Sequence, residues 1–139
     1  MIEIISRAFI LKDNKLLFCK AIKAGHYYLP GGHVEFGENA EVALKREMME
    51  ECGVRIKNIN FIGVFENKWG DPIHHEYNML YTVDLDPDSA GIISKESHID
   101  FEWVDIEKLG EIIFYPKEFL DRIIQWCKDK ENIYFSTIK

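Results

Sequence analysis

The amino-acid sequence predicts an α+β fold in which a mixed β-sheet is covered by helices. Segments rich in β-branched and aromatic residues recur along the chain, whereas two segments carry the spacing of helices. Because the strand and helix patterns do not alternate strictly, we expect a mixed sheet with helices packed on its faces. The 139 residues are enough for one domain with a sizeable core, so we expect a single domain over residues 1–139.

Composition and charge exclude several classes of protein. The formal net charge of −7 argues against non-specific binding to nucleic acids, which depends on Lys and Arg contacts to phosphate. We expect neither a membrane span nor a signal peptide, because the apolar runs are short and MIEIISRAF lacks a basic region followed by a long apolar one. Three scattered cysteines (Cys19, Cys52 and Cys127) argue against a disulfide framework. They indicate a reducing compartment, for which we expect the cytoplasm.

The first two strand patterns predict a β-hairpin. IEIISRAFIL (residues 2–11) and KLLFCK (residues 15–20) are both rich in β-forming residues. Asp13 and Asn14, in the connecting KDNK, are good residues for a tight turn. The two strands are therefore expected to pair with each other.

A loop and a helix follow the hairpin. The glycine-rich AGHYYLPGGHVEFGE (residues 24–38) is typical of a loop, in which we expect a short strand at residues 33–36. Asn39 is a suitable N-cap for a helix that runs to about Cys52, and Gly53 is placed to end it.

The rest of the chain predicts three strands and two helices. In order, these are strands at NINFIGVFEN (58–67) and HEYNMLYTVDL (75–85), a polar loop at DPDSAGIISKES (86–97), a strand at IDFEWVDI (99–106), a short helix at EKLGEI (107–112) and a helix over residues 116–128. The long strands flank the turn-like KWGDP, and the final helix carries an apolar face formed by Phe119, Leu120, Ile123, Ile124 and Trp126.

Three glutamates lie within two turns of the first predicted helix, in REMMEECG (residues 46–53). Residues at i, i+3 and i+4 share one side of a helix, so Glu47, Glu50 and Glu51 converge. A solvated acidic face is the ordinary explanation of such a cluster. Against it, Ala43 and Leu44 lie on nearly the same side, and carboxylates beside packed surface are unfavourable unless a cation pairs with them.

The sequence near these glutamates supplies too little positive charge. Arg46 precedes Glu50 by four residues and can balance one carboxylate, but it cannot balance three. Clustered carboxylate oxygens suit a hard divalent cation, Mg²⁺ or Mn²⁺. The cluster therefore predicts a metal site.

The spacing upstream of the glutamates carries a family resemblance. From Gly32 the chain reads GHVEFGENAEVALKREMMEECGV, in which five residues separate Gly32 from Glu38 and seven separate Glu38 from Arg46. This pattern resembles the Nudix box of the Nudix hydrolases at every defining position, and YYLPGGHVEFGE resembles the usual segment leading to it. The resemblance implies a Nudix-like α/β/α sandwich, with a mixed central sheet flanked by helices. It also implies hydrolysis of a nucleoside diphosphate linked to a group X.

The same resemblance implies roles for individual residues. Water attacks a phosphorus atom of the diphosphate with the help of Mg²⁺, or alternatively Mn²⁺. Glu47, Glu50 and Glu51 are the expected metal ligands, together with the main-chain carbonyl of Gly32. Arg46 is expected to hold Glu47 in position.

The general base stays open between several carboxylates. Family members use either a glutamate of the box or a carboxylate from a later loop. We favour Glu51, with Glu50, Glu96 and Glu102 as the alternatives, since a base must lie within hydrogen-bonding distance of the water.

Five further residues are candidates for substrate contacts, although each also has an ordinary structural explanation. Arg7 and Lys20 lie on predicted strands, where an exposed basic side chain is common. Tyr28 precedes the glycine pair and could equally belong to the core. Trp69, in the turn-like KWGDP, is less readily explained as core and is suited to stacking on a base. Glu102 precedes Trp103 in a predicted strand.

Three functions compete for this sequence. The first is a nucleotide pyrophosphohydrolase whose partner is a small-molecule substrate: a nucleoside triphosphate, a nucleotide sugar or a dinucleotide. The second is a catalytically silent nucleotide sensor on the same fold, which should show altered box glutamates. The third is an isomerase of isoprenoid diphosphates, which should carry additional Cys, His or Glu residues at its site. For so small a domain, we also expect a homodimer.

Overall fold

The computed structural model describes residues 1–89 and 91–139. Ala90, within the predicted polar loop, lies outside the described residues. The strands are β1 (Ile2–Phe9), β2 (Leu11–Lys12), β3 (Lys15–Ala21), β4 (Tyr27–Tyr28), β5 (Gly31–His33), β6 (Ile56–Trp69), β7 (His74–Leu85), β8 (Ile99–Asp105) and β9 (Ile133–Ser136). The helices are α1 (Ala40–Cys52), a 3-10 helix (Ile106–Glu111) and α2 (Lys117–Asp129).

Five strands form a mixed sheet, sheet A, in the order β5–β1–β7–β6–β9. β1 runs parallel to β7 and antiparallel to β5, while β6 pairs antiparallel with β7 and parallel with β9. The predicted mixed sheet is therefore confirmed. β9 was not predicted. It docks where Gly63 lets the two backbones approach so closely that a Cβ atom would overlap the Ile133 carbonyl.

A second sheet, sheet B, is built on β3. One edge of β3 pairs with β8, and the other edge pairs with the short strands β2 and β4. The predicted hairpin between residues 2–11 and 15–20 is present only next to its turn, where Leu11 and Lys12 pair with β3 and the Leu17 N–H donates to the Ile10 carbonyl at 3.0 Å. The rest of the prediction is wrong, because β1 belongs to sheet A. The turn itself is as expected, with left-handed φ angles of 51° at Asp13 and 61° at Asn14.

The short strand of the glycine-rich loop lies earlier than predicted. β5 covers residues 31–33, where it pairs with β1, whereas residues 34–36 have left the sheet. The carbonyl of Ile4 still accepts a hydrogen bond from the Val34 N–H at 2.9 Å. The strand therefore begins at the two glycines, because they allow the chain to lie against β1.

Helix α1 begins and ends at the predicted capping residues. The side-chain oxygen of Asn39 accepts a hydrogen bond from the Val42 N–H at 2.9 Å. Gly53 adopts a left-handed φ of 70° and donates its N–H to the Met49 carbonyl. The buried Ser6 hydroxyl of β1 donates to the Ala40 carbonyl at 2.7 Å, which fixes the first turn of the helix against sheet A.

The two α-helices lie on opposite faces of sheet A. Ala8 and Phe9 are successive residues of β1, so their side chains point to opposite faces. Ala8 belongs to the core cluster that contains Met48 of α1, whereas Phe9 packs edge-on against Trp126 of α2 at 4.9 Å between ring centroids. The predicted sandwich is confirmed. Neither helix in the described part of the chain is long and apolar enough to span a membrane.

Candidate active site

The guanidinium of Arg46 connects three glutamates to the loop that precedes α1. Its Nε and Nη2 each donate to one carboxylate oxygen of Glu38 at 2.9 Å. Its Nη1 donates to Glu47 Oε1 at 2.9 Å and to Glu50 Oε2 at 3.2 Å. Nη2 also donates to the His33 carbonyl at 3.0 Å. The contact expected between Arg46 and Glu47 is thus present, and Arg46 fixes the box to β5.

Glu38 serves the structure of the loop that precedes α1. Hydrogen bonds from Arg46, followed by one from the Glu35 N–H, lower the pKa of Glu38 to about 2. In turn, Glu38 raises the pKa of Arg46 above its usual value. The pair is bidentate, which sets the orientation of the guanidinium as well as its position.

Glu47 lies against Gly32, between α1 and β5. A Cβ atom on Gly32 would be 2.5 Å from Glu47 Oε2 and 2.7 Å from Oε1, closer than real contacts allow. The Glu47 side chain is only 17% exposed. Glycine at position 32 therefore provides the space that the carboxylate occupies, and it brings the main chain beside two oxygens able to bind a cation.

Glu51 lies half-buried beside Glu47. Burial, followed by a hydrogen bond with Glu47 and by the charges of Glu47 and Glu96, raises its pKa to about 8, although the charge of Arg7 acts in the opposite direction. Ionisation of Glu51 beside the Glu47 carboxylate is unfavourable unless a further positive charge compensates it. The site consequently needs either a proton or a cation.

The carboxylates have the chemistry that a divalent metal requires, but their oxygens do not surround one common point. Among the described residues, no group of three or more His, Cys, Asp or Glu side chains is arranged to hold a metal ion. One reason is that Arg46 occupies one oxygen of Glu47 and one of Glu50, whose side chain is 59% exposed. The oxygen donors, the compensating charge required and the main chain at Gly32 fit a hard cation. The ligand assignment stays a prediction.

The segment at residues 92–96 brings Glu96 towards the end of α1. The N–H groups of Ile93 and Lys95 donate to the carbonyls of Cys52 and Glu51, at 3.2 and 2.8 Å. These bonds satisfy carbonyls that the end of a helix leaves without partners. They also carry Glu96 close enough for its charge to raise the pKa of Glu51.

Comparison with known proteins places this site in a family. A family model described as the NUDIX domain matches residues 4–127. The chain belongs to the Nudix family. An ADP-ribose pyrophosphatase of Methanocaldococcus jannaschii is 32% identical over 122 residues, which cover 84% of this chain and 70% of that protein. An NAD-capped RNA hydrolase of Chromobacterium violaceum is 34% identical over 124 residues, which cover 87% of this chain and 44% of that protein.

A solved structure shows the same Nudix fold. The crystal structure of a MutT NUDIX hydrolase from Burkholderia pseudomallei matches with a TM-score of 0.73 at 21% identity, covering 86% of this chain and 95% of that one. The protein is therefore an enzyme, a Nudix hydrolase. Nudix hydrolases generally use divalent metal ions, which agrees with the chemistry of the carboxylates described above.

Arg7 and Tyr28 lie near the Nudix glutamates. Arg7 donates from Nη1 to the Leu29 carbonyl at 2.9 Å and from Nε to Asn78 Oδ1 at 3.2 Å. Burial raises the pKa of Tyr28 to about 12, with a smaller contribution from the nearby Glu51 charge. Because Arg7 lowers the pKa of both Tyr28 and Glu51, the three side chains share one region of the structure.

Lys20 and Glu102 pair with each other at a different place. Lys20 Nζ lies 3.8 Å from Glu102 Oε2 and 5.2 Å from the centre of the Tyr27 ring. Tyr27 and Glu102 line a cavity of about 280 Å³ that extends to the 3-10 helix. Within the described residues, neither Lys20 nor Glu102 forms an ion pair or hydrogen bond with the glutamates of the Nudix box. Their predicted contact with substrate stays a prediction.

Trp69 is connected to the Nudix box only through other side chains. It is 51% exposed at the end of β6 and stacks on His74 with 4.4 Å between ring centroids. His74 Nδ1 lies 3.7 Å from Glu3, which in turn contacts the His33 ring at 2.9 Å. The structure therefore leaves Trp69 available for stacking but does not place it beside the carboxylates.

A cavity of about 770 Å³ lies away from the Nudix glutamates. It is bounded by Val54 after α1, the start of β6, the end of β7 and Trp103 of β8. None of the predicted site residues lines it in the described part of the chain. Because the Nudix glutamates lie elsewhere, the candidate active site is at these carboxylates rather than at this cavity.

Sequence reasoning missed Asn78. This residue is 2% exposed in the middle of β7, and its side chain contacts Arg7. The available signal was a polar residue between Tyr77 and Met79 in a strand otherwise suited to the core. Its partner could not be identified without knowing that β7 lies beside β1.

Proposed function

We propose that this Nudix hydrolase cleaves the diphosphate linkage of a nucleoside diphosphate joined to a group X and releases a nucleoside monophosphate. The observation that carries the proposal is the Glu47 carboxylate, which lies against Gly32, beside Glu51 and under the guanidinium of Arg46. One domain over residues 1–139 forms the enzyme. Its free cysteines fit the reducing cytoplasm.

We assign Mg²⁺, with Mn²⁺ as the alternative, to Glu47, Glu50, Glu51 and the Gly32 carbonyl. When bound, the ion supplies charge neutralisation at the phosphate oxygens and lowers the pKa of attacking water. Arg46 holds Glu47 in one orientation and keeps the loop before α1 against the helix. Such supporting contacts affect metal affinity and activity strongly, although they do not touch the ion.

Glu51 is the proposed proton acceptor for the attacking water. Its carboxyl retains a proton to higher pH than an exposed glutamate, and Glu47 and Glu96 contribute to that shift. Of the later carboxylates, Glu96 is the better alternative, because its segment is bonded to the last turn of α1. Glu102 pairs with Lys20 instead.

ADP-ribose is the first substrate that we propose to test. The supporting observation is the similarity to a relative that is named an ADP-ribose pyrophosphatase and of which this chain covers 70%. Cleavage between the two phosphates would give AMP and ribose 5-phosphate. Nucleoside triphosphates, nucleotide sugars and dinucleotides carry the same reactive linkage and belong in the same panel.

The test is a panel of these compounds incubated with the purified protein and Mg²⁺ or Mn²⁺, with products separated by chromatography. We expect a nucleoside monophosphate from at least one compound, and no product when the metal is removed with EDTA. The Glu47→Gln variant is the matched control for contaminating activity. If the panel binds but no compound is cleaved with either metal, the sensor function replaces the hydrolase.

A further inference from the structure

We propose that Asn78 is a positioning residue that aims the guanidinium of Arg7 at the diphosphate of the substrate. The proposal rests on the proposed function, since it assumes a diphosphate beside Glu51. Three features of the structure carry it: the neutral partners of Arg7, the fixed orientation of the Asn78 amide, and the position of the pair.

Arg7 is a partly buried cation that is held entirely by neutral groups. Its Nε donates to the amide oxygen of Asn78, and its Nη1 donates to the main-chain carbonyl of Leu29. Among the described residues it forms no ion pair, whereas Arg46 contacts several carboxylates. A partly buried cation without an ion-pair partner is suited to binding an anionic ligand. Within residues 1–89 and 91–139 its Nη2 has no hydrogen-bond partner, so this nitrogen is left for the ligand.

The amide of Asn78 can point only one way. Its Nδ2 donates to the Phe65 carbonyl at 3.2 Å and to Glu76 Oε1 at 3.3 Å, and both of these groups are acceptors. The oxygen Oδ1 must therefore face the Arg7 Nε. Because Asn78 is buried in the centre of sheet A, the rigid β7 strand sets the direction of the guanidinium.

The pair lies next to the strand that carries Gly32. Arg7 is opposite Gly31 in the pairing of β1 with β5, one residue before the Gly32 that contacts Glu47. Its Nη1 donates to the carbonyl of Leu29, which lies two residues before Gly31. We therefore expect the phosphates of a bound diphosphate to lie between the Arg7 guanidinium and the Nudix glutamates.

An amide is the side chain that such a role requires. A carboxylate at position 78 would form an ion pair with Arg7 and cancel the charge that attracts phosphate, and its second oxygen would face the Phe65 carbonyl and the Glu76 carboxylate. A leucine of similar size would preserve the charge and lose the orientation. Asparagine provides a hydrogen-bond acceptor without a negative charge.

The closing experiment measures the affinity of inorganic pyrophosphate for the full chain in Mg²⁺ by isothermal titration calorimetry. The variants are Asn78→Asp, Asn78→Leu and Arg7→Lys, and Tm is recorded for each. Asn67→Asp is the matched control, because Asn67 is also a buried asparagine of sheet A but pairs with Thr137. We expect about tenfold or greater loss of affinity in the first three variants. We expect no change in the control.

Asn78→Asp decides between positioning and simple structural support. It is isosteric and folds if the site tolerates the charge, so a wild-type Tm together with weakened binding supports the proposal. Wild-type affinity in this variant overturns it. If both Asn78 variants fail to fold, Arg7→Lys decides, and unchanged binding of pyrophosphate by that variant also overturns the proposal.

A wild-type protein that does not bind pyrophosphate but cleaves a panel compound overturns this inference alone. Tight pyrophosphate binding without cleavage of any compound overturns the proposed function alone.

Discussion

The Glu47 carboxylate fills the space that a side chain at position 32 would occupy. Both of its oxygens lie within 2.7 Å of where a Cβ atom of Gly32 would be. Gly32 does not adopt the left-handed backbone conformation that other residues avoid, so the requirement for glycine is one of space. The contact links two parts of the box that are far apart in sequence.

Gly32→Ala should displace Glu47 without straining the backbone. We expect Mn²⁺ affinity and kcat/KM to fall by about 10- to 100-fold, as for other changes that misplace a metal ligand. Calorimetric titration and steady-state kinetics measure the two quantities. Gly110→Ala is the matched control, because its Cβ would meet no atom within 4 Å in the described structure. Equal activities of the two variants would show that Glu47 moves aside freely.

Glu50→Gln should reduce turnover while leaving the fold intact. The amide has the size of the carboxylate but lacks the charge that a hard cation needs, so we expect kcat/KM to fall by about 100-fold or more. Because Glu50 is largely exposed, loss of its pairing with Arg46 should change Tm very little. Glu41→Gln, on the exposed first turn of α1, should retain full activity. Full activity in Glu50→Gln would remove Glu50 from the metal site.

Glu51 should make the metal-free protein less stable as pH rises. Its pKa is about 8 in the folded protein and near 4.5 when exposed, so the folded state binds the proton more tightly between these values. The contribution to stability is therefore complete below about pH 4.5 and is lost as pH rises through 8. In EDTA at pH 8.5, Glu51→Gln should raise Tm by about 5 °C or more, and the gain should disappear near pH 4.5.

The control for this prediction is Glu50→Gln, measured at the same two pH values. Its carboxylate is exposed on the same helix, so it should show no comparable difference. A Glu51→Gln variant with the wild-type Tm at pH 8.5 would mean that Glu51 is well solvated or already paired.

Glu96 and Glu102 should differ in their effect on catalysis. Glu96 lies close enough to affect Glu51, while Glu102 contacts Lys20 on sheet B. We therefore expect Glu96→Gln to lower kcat by about tenfold or more, within the range for a residue that assists proton transfer, and Glu102→Gln to leave kcat nearly unchanged. Single-turnover kinetics at saturating substrate measure this directly. If Glu102→Gln lowers kcat and Glu96→Gln does not, the later carboxylate that assists proton transfer is Glu102 on β8.

Local sequence patterns predicted the parts of the site that depend on neighbours along the chain. Asn39 and Gly53 bound α1 as expected, and Arg46 contacts Glu47. These contacts follow from spacing within one helix and its caps. Asn78 lies outside such reasoning, because its contact with Arg7 spans 71 positions and exists only once β1 and β7 are paired.

The fold was predictable in class but not in strand pairing. Periodicity identified the long strands and both α-helices, but it carries no information about which strands are neighbours. At Ile10 the chain passes from sheet A to sheet B, so β1 and β3 separate although a good turn follows. The short β9 escaped notice because its pairing depends on Gly63, far from it in sequence.

The parallel pairing of β1 with β7 has a consequence for biosynthesis. β1 leaves the ribosome well before its long partner, which comprises residues 74–85. Until that segment emerges, the apolar side chains of β1 lack the neighbours that bury them in the finished enzyme. The β1 segment therefore stays without its partner while the intervening residues are synthesised, an interval in which a chaperone has most to protect.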